Sequence, residues 1–158
     1  MIKVIAVGKI KEKWLKDGID EYLKRLKAYD KIEIIETTDL KVPESNSDKE
    51  NEIVKVEEGR KVLKQVKDDE YVILLDLKGN AKDSISMAKY IQNLYDTSRS
   101  KITFIIGGSL GVSDEVKKRA NYMWKLAEVT LPHQLCRLVV LEQIYRCFRI
   151  NHNEPYHK

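Results

Sequence analysis

Residues Tyr71–Leu77 read YVILLDL. A near-continuous apolar run of this kind suits a strand buried on both faces, as central strands of parallel sheets are. Lys78-Gly79-Asn80 predicts its end. Asp83 or Ser84 can cap a following helix that carries Ile85, Met87, Ala88, Ile91 and Leu94 at helical spacing. Upstream, Ile2–Val7 forms a short apolar strand ending at Gly8. Trp14, Leu15, Ile19, Tyr22, Leu23 and Leu26 predict an amphipathic helix over residues 12–28, and Ile32, Ile34 and Ile35 mark a second strand. Val42–Glu50 (VPESNSDKE) has loop composition and is expected to be mobile. Ile53, Val56, Val62, Leu63 and Val66 restore helical periodicity.

Downstream, Ile102–Ile106 is a fourth strand. Ser113 caps a helix expected from Asp114 to about Tyr122, with Asp114 and Glu115 on its positive end. Trp124–Leu131 predicts a fifth strand, and Pro132 suits the first position of a last helix. Alternation of strands and helices in this order predicts an α/β fold: a mostly parallel sheet flanked by helices.

The chain has 158 residues, consistent with one domain over 1–158. A domain of this size buries roughly 70% of its unfolded surface and needs no staple. Cys136 and Cys147 fall on one helix, about 16 Å apart at 1.5 Å per residue, too far for a disulfide. No cysteine or histidine grouping has metal spacing, so no metal is expected. The N-terminal apolar run ends at Ile10 among lysines, so neither a signal peptide nor a membrane span is expected. A reduced, cytoplasmic, soluble setting follows. Net charge is +4, with 29 basic and 25 acidic residues, which permits nucleic-acid binding without requiring it. Lys9, Lys11, Lys13 and Lys16 form either a solvated helix face or a phosphate-contacting flank.

Ligands of parallel α/β sheets bind beyond the carboxyl ends of the strands. Here those positions follow Leu75, Ile106 and Leu131. Gly107-Gly108-Ser109-Leu110-Gly111 is neither a dinucleotide fingerprint nor a P-loop. It is either a ligand cradle with free N–H groups or a tight turn. His133 falls in the first turn of the last helix, where the dipole favours a neutral imidazole or an anion.

Stepping about 100° per residue from Leu135, apolar side chains of the last helix fill nearly every sector, so it is buried all round. Glu142 and Arg146 form an i,i+4 pair on a narrow polar edge. Arg137 falls in the sector of Leu141, Ile144 and Phe148. It needs a carboxylate, carbonyls or an anionic ligand, from this chain or another subunit. The tail holds His152, Tyr156 and His157. It either frays or is held against the core by Pro155 and the helix before it.

Taken together, IIGGSLGV, LAEVTLPHQLCR, LEQIYRCFRI and NEPYHK resemble the RlmH (YbeA-like) group of SPOUT methyltransferases. VIAVGKIKEKWLKDGIDEYLKRL and YVILLDLKG extend the resemblance over the whole chain. The resemblance implies S-adenosylmethionine-dependent methylation of N3 of a pseudouridine in helix 69 of 23S rRNA. It also implies a homodimer and a C-terminal trefoil knot, a topology otherwise very rare. By the same resemblance, Leu75, Gly107, Leu126, Ala127, Glu128, Val129, Thr130 and Leu131 contact the cofactor. Arg146, Tyr156 and His157 face the nucleotide from the subunit opposite the bound cofactor, with His133 beside the pocket. Asn153 stands where relatives often carry Gly, which implies a left-handed turn before the tail.

The expected mechanism is direct transfer of methyl to the imide nitrogen, with Arg146 favouring the developing imidate, His157 as base and Tyr156 positioning the ring. Two other readings compete: a non-catalytic ribosome- or RNA-binding α/β module, and a SPOUT enzyme acting on tRNA.

Overall fold

The hexapeptide IKVIAV forms β1 (Ile2–Val7), buried at every position. The computed structural model describes residues 1–158. After β1 come α1 (Lys13–Leu26), β2 (Ile32–Thr37), α2 (Asp48–Leu63), β3 (Tyr71–Ala81) and α3 (Ser84–Asp96). Then follow β4 (Ile102–Ile106), α4 (Asp114–Arg119), β5 (Tyr122–Lys125) and α5 (His133–Asn151). The strands make one sheet in the order β2-β1-β4-β3-β5. Every neighbouring pair is parallel.

Strand alternation sorts the core into two layers. Val4, Ile73 and Phe104 face α1, α3 and α5, which bring Leu15, Met87, Ile91, Leu141, Ile144 and Phe148. Ile5, Val72, Leu74 and Ile105 face Val62 of α2 and Val116 of α4. Near the amino ends of the strands, buried Lys3 donates to Glu70 Oε1 at 2.5 Å and to the Gln65 carbonyl at 2.7 Å. Thr103 Oγ1 donates to Glu70 Oε2 at 2.8 Å. Burial pushes the Glu70 carboxyl up, but the hydrogen bonds from Lys3, Thr103 and the Lys67 N–H outweigh it and hold it below the usual carboxylate range.

The predicted element order holds, and several boundaries move. β3 does not stop at Lys78-Gly79-Asn80. It bulges after Leu75 and pairs again, Asn80 with Trp124 and Ala81 with Lys125. α4 ends at Arg119, short of Tyr122, because Ala120 is extended and Asn121 exchanges hydrogen bonds with Val72 of β3 at 2.9 and 2.8 Å. That pairing starts β5 at Tyr122, two residues earlier than expected. It ends at Lys125, so residues 126–131 are irregular. The loop expected over Val42–Glu50 ends at Ser47, whose hydroxyl accepts the Glu50 N–H at 3.2 Å and caps α2. Pro132 is the N-cap residue of α5, one position ahead of its expected place.

α5 buries Arg137, Val140, Leu141, Ile144, Tyr145, Cys147 and Phe148 but leaves its other residues half-buried, so within the single chain it is not buried all round as its apolar pattern predicts. It packs between α1 and α3. Arg137 finds its partners within the chain, at Glu36 and the Gly8 carbonyl. No helix is long and apolar enough to cross a membrane.

Candidate functional site

The carboxyl ends of β3, β4 and β5 open into a cleft of about 820 Å³. All three loops singled out in the sequence contribute to it. Leu75 lines it at the point where β3 bulges away from β5. Gly107–Val112 forms one wall. Leu126, Ala127, Val129, Thr130 and Leu131 form another, and His133 and Cys136 enter from the start of α5.

The glycine loop is a tight turn as well as a wall. The Gly111 N–H donates to the Gly108 carbonyl at 3.1 Å. Gly111 sits at φ +88°, where an L side chain is strained. A Cβ on Gly107 would lie 2.6 Å from Val112 Cγ1. Backbone thus lies bare along the wall, suited to close approach of a ligand.

Glu128 is the one residue of the 126–131 stretch outside the cleft. Its side chain turns to solvent and pairs with Lys125 at 2.7 Å. Trp124 is a lining residue that sequence reasoning passed over as one more strand apolar. Its ring is buried, and Nε1 is buried without a hydrogen-bond partner. The sequence reading put Trp124 at the start of the fifth strand, so its place near the carboxyl end of β5 was not legible there. Burial pushes the Cys136 thiol up to about 11, so it offers the cleft no thiolate. Lys55, Lys78 and Lys117 supply the cationic lining, and Asp76 is the single carboxylate. No cluster of side chains could hold a metal ion.

His133 also lines a smaller pocket behind the glycine loop, shared with Asp39, Glu58 and Gly108. Glu58 is buried and accepts the Leu40 N–H at 3.0 Å. Burial, with the Asp39 charge adding to it, pushes the Glu58 carboxyl up.

Arg146, Tyr156 and His157 form a second cluster that takes no part in lining the cleft. Arg146 is 13 residues beyond His133, about 20 Å along α5 at 1.5 Å per residue. Asn153 turns the chain at φ +54°, and the tail lies back along the helix. Tyr156 packs edge-on against Tyr145, 4.9 Å between ring centroids, with the Arg146 guanidinium 4.6 Å from its own centroid. Glu142 Oε1 is the hub, accepting from Arg146 Nε at 3.0 Å, Arg146 Nη2 at 2.6 Å and the Tyr156 hydroxyl at 3.0 Å. Tyr156 and Tyr22 hydroxyls meet at 3.3 Å. Burial, with the bonds to Tyr22 and Glu142, holds the Tyr156 phenol above its usual value. The tail is held, not frayed. Glu142 was visible in the sequence only as the partner of Arg146, and its third bond, to Tyr156, was not.

One chain therefore carries two separate features: a cleft rich in bare backbone, and a remote arginine–tyrosine–histidine cluster. On α1 and α5, apolar side chains remain open to solvent. Trp14 is 61% exposed, and Leu135, Leu138 and Val139 are half-buried.

A family described as "Predicted SPOUT methyltransferase" matches residues 1–157. A Clostridium perfringens protein named ribosomal RNA large subunit methyltransferase H 1 is 54% identical over 157 residues, 99% of each chain. Proteins of Bacillus thuringiensis and Bacillus anthracis, each named ribosomal RNA large subunit methyltransferase H, are 53% identical over the same share of both chains. The chain belongs to the SPOUT methyltransferase family.

Proposed function

We propose that this SPOUT-family chain is an S-adenosylmethionine-dependent methyltransferase of large-subunit ribosomal RNA. Its target in this reading is N3 of a pseudouridine in helix 69 of 23S rRNA, reached on assembled ribosomes in the cytoplasm. The observation that carries the reading is the cleft. Leu75, Gly107 and five of the six residues 126–131 converge on it, and full-length relatives carry a methyltransferase name.

The cleft fits the cofactor. Its volume of about 820 Å³ lies within the range of roughly 300–1,000 Å³ usual for small-molecule sites. Bare backbone at Gly107–Gly111 can meet polar edges, and Leu75, Leu126 and Leu131 offer an apolar slot. The buried, partnerless Trp124 Nε1 leaves a hydrogen-bond donor beside it. When bound, S-adenosylmethionine supplies an electrophilic methyl group on a cationic sulfur. The chain's own part is to hold it, exclude water and present the nucleotide. Arg146 and Tyr156 are suited to the last task, as a fixed cation beside a ring that can stack on a base.

Because Arg146, Tyr156 and His157 lie far from the cleft of their own chain, the complete site is read as shared. In a homodimer joined through Trp14, Leu135, Leu138 and Val139, the tail of one subunit would face the cleft of the other. The same reading threads α5 through the neighbouring loops as a trefoil knot. That accords with a helix that has no fully exposed residue.

Mass spectrometry of 23S rRNA from a strain lacking the gene tests the function. The expected result is loss of one methyl from a helix 69 pseudouridine, restored by the gene. Calorimetry with S-adenosylhomocysteine separates the enzyme from a non-catalytic RNA-binding module, which would bind RNA and not the nucleoside. Methylation of assembled ribosomes with little on naked RNA is expected. Equal activity on a short free hairpin, or on tRNA, would sink the ribosomal assignment.

A further inference from the structure

Arg146 Nη1 lies 3.2 Å from His157 Nδ1. A guanidinium has donors and no acceptor, so His157 Nδ1 must be the acceptor. A neutral imidazole whose Nδ1 accepts carries its proton on Nε2. The arrangement is over-determined. Glu142 holds Arg146 through Nε and Nη2, and Tyr156 lies under the guanidinium, which leaves Nη1 to the ring. Glu142 is held in turn, its Oε2 accepting from Gln143 Nε2 at 2.6 Å. Gln143 Oε1 accepts from Ser84 Oγ at 2.7 Å at the head of α3. The same end of α3 supplies Asp83, whose Oδ1 caps the helix by accepting the Ser86 N–H at 2.7 Å. That cap holds the Asp83 carboxyl below the usual range. Asp83 makes no hydrogen bond to the ring. The one polar atom that His157 has left to offer is Nε2, and it carries hydrogen.

We infer that His157 presents a neutral Nε2–H donor to a carbonyl oxygen flanking the reacting imide nitrogen, and is not the base that removes the imide proton. An imide N–H sits between two carbonyls. Its ionisation spreads negative charge onto both, and a fixed donor at one of them strengthens as that charge develops. The electron pair of the N3–H bond stays on the imide, and the proton passes to hydroxide from solvent, giving water. The inference rests on the proposed pseudouridine N3 chemistry, and it replaces the role of base expected for His157 from the sequence.

Two measurements test it. Long-range proton–nitrogen correlation on protein carrying ¹⁵N-histidine reads the ring directly. The expected pattern at about pH 8 is a protonated Nε2 and a bare Nδ1 at His157. A proton on Nδ1 overturns the inference. Single-turnover methylation of saturating ribosomes reads the role. His157→Gln places an amide N–H near the position of Nε2 and has no basic nitrogen. It is expected to stay within about threefold of the wild type, while His157→Ala and His157→Phe fall by about 10²-fold, the scale for losing one such donor. S-adenosylhomocysteine affinity stays unchanged in all three. The wild-type rate should keep rising tenfold per pH unit beyond the imidazole range near ~6.5. A glutamine variant as slow as the alanine variant, a plateau above pH ~7 that the glutamine variant lacks, or a near-normal alanine variant would each overturn the assignment. A wild-type protein that leaves ribosomes unmethylated fails the proposed function instead, and the nitrogen spectrum still decides the tautomer.

Discussion

The Arg137 guanidinium donates to Glu36 Oε2 at 2.6 Å and to the Gly8 carbonyl at 3.0 Å, joining α5 to the ends of β1 and β2. Arg137 is 2% exposed, whereas the Glu36 side chain is 39% exposed. The two partners are therefore unequal. Removing Glu36 strands a buried cation, which costs about 3–5 kcal/mol. Replacing Arg137 by methionine leaves a carboxylate that water can reach and a side chain at home among Leu141 and Ile144. Urea unfolding should show Glu36→Ala more destabilised than Arg137→Met, by about 2 kcal/mol or more.

The glycine loop gives a second prediction. A Cβ on Gly107 meets Val112 at 2.6 Å, so Gly107→Ala must displace the wall of the cleft. A Cβ on Gly111 meets nothing within 4 Å, but its φ of +88° is strained for alanine. Gly107→Ala should weaken S-adenosylhomocysteine binding by about tenfold or more, equivalent to 1.4 kcal/mol. Gly111→Ala should instead lower stability by about 1–2 kcal/mol. Calorimetry and denaturation separate the two.

Glu58 and Glu70 should shift stability with pH in opposite directions. The folded state raises the Glu58 carboxyl, so the native protein binds the extra proton. Its contribution is best below the ordinary value of 4.5 and declines as pH climbs through the raised one. Glu58→Gln should remove that slope and leave the protein as stable or up to about 1 kcal/mol more stable at pH 7. The folded state lowers the Glu70 carboxyl. Its contribution is complete above 4.5 and is lost as pH falls through the lowered value. Glu70→Gln leaves buried Lys3 without its counter-charge and should cost about 3–5 kcal/mol at pH 7. Urea midpoints measured from pH 3 to 8 read both.

The tail should be held by its ring more than by its hydroxyl. Tyr156→Phe loses the 3.0 Å bond to Glu142, worth about 1 kcal/mol, but keeps the edge-on packing against Tyr145. Tyr156→Ala loses both. Hydrogen exchange over residues 153–158 should rise modestly in the first variant and approach the free-chain rate in the second.

Where burial was two-sided, the sequence was enough. Ile2–Val7 and Ile102–Ile106 are strands with the bounds their apolar runs suggest. Where the partner strand decides, it was not. Gly79 and Asn80 look like a break, yet β5 draws the chain back into the sheet at Asn80 and Ala81. Tyr122 looks helical until Asn121 bonds to Val72. Ser47-Asp48-Lys49-Glu50 did carry a readable signal, a capping-box pattern inside a stretch of loop composition. At the site, Leu75, Gly107 and Leu131 were legible because chain order places them at strand ends, whereas Leu126, Ala127, Val129 and Thr130 followed from the family resemblance alone, since the sequence put them inside a strand. The outward turn of Glu128 was not legible, since it follows from a local pair with Lys125. The hub at Glu142 depends on a tail that folds back at Asn153, a three-dimensional return that no helical wheel displays.

The sheet order also bears on how the chain comes into being. β1 lies between β2 and β4, and its Ile2 faces Ile102 of β4 across the ladder. During synthesis one edge of the first strand must wait while about 100 residues emerge. The larger core layer waits longer still, for Leu141, Ile144 and Phe148 of the last helix. Pairings of such long range are slow to form. The newborn chain therefore spends most of its time on the ribosome with its first strand half-dressed, and it matures only once translation is nearly over.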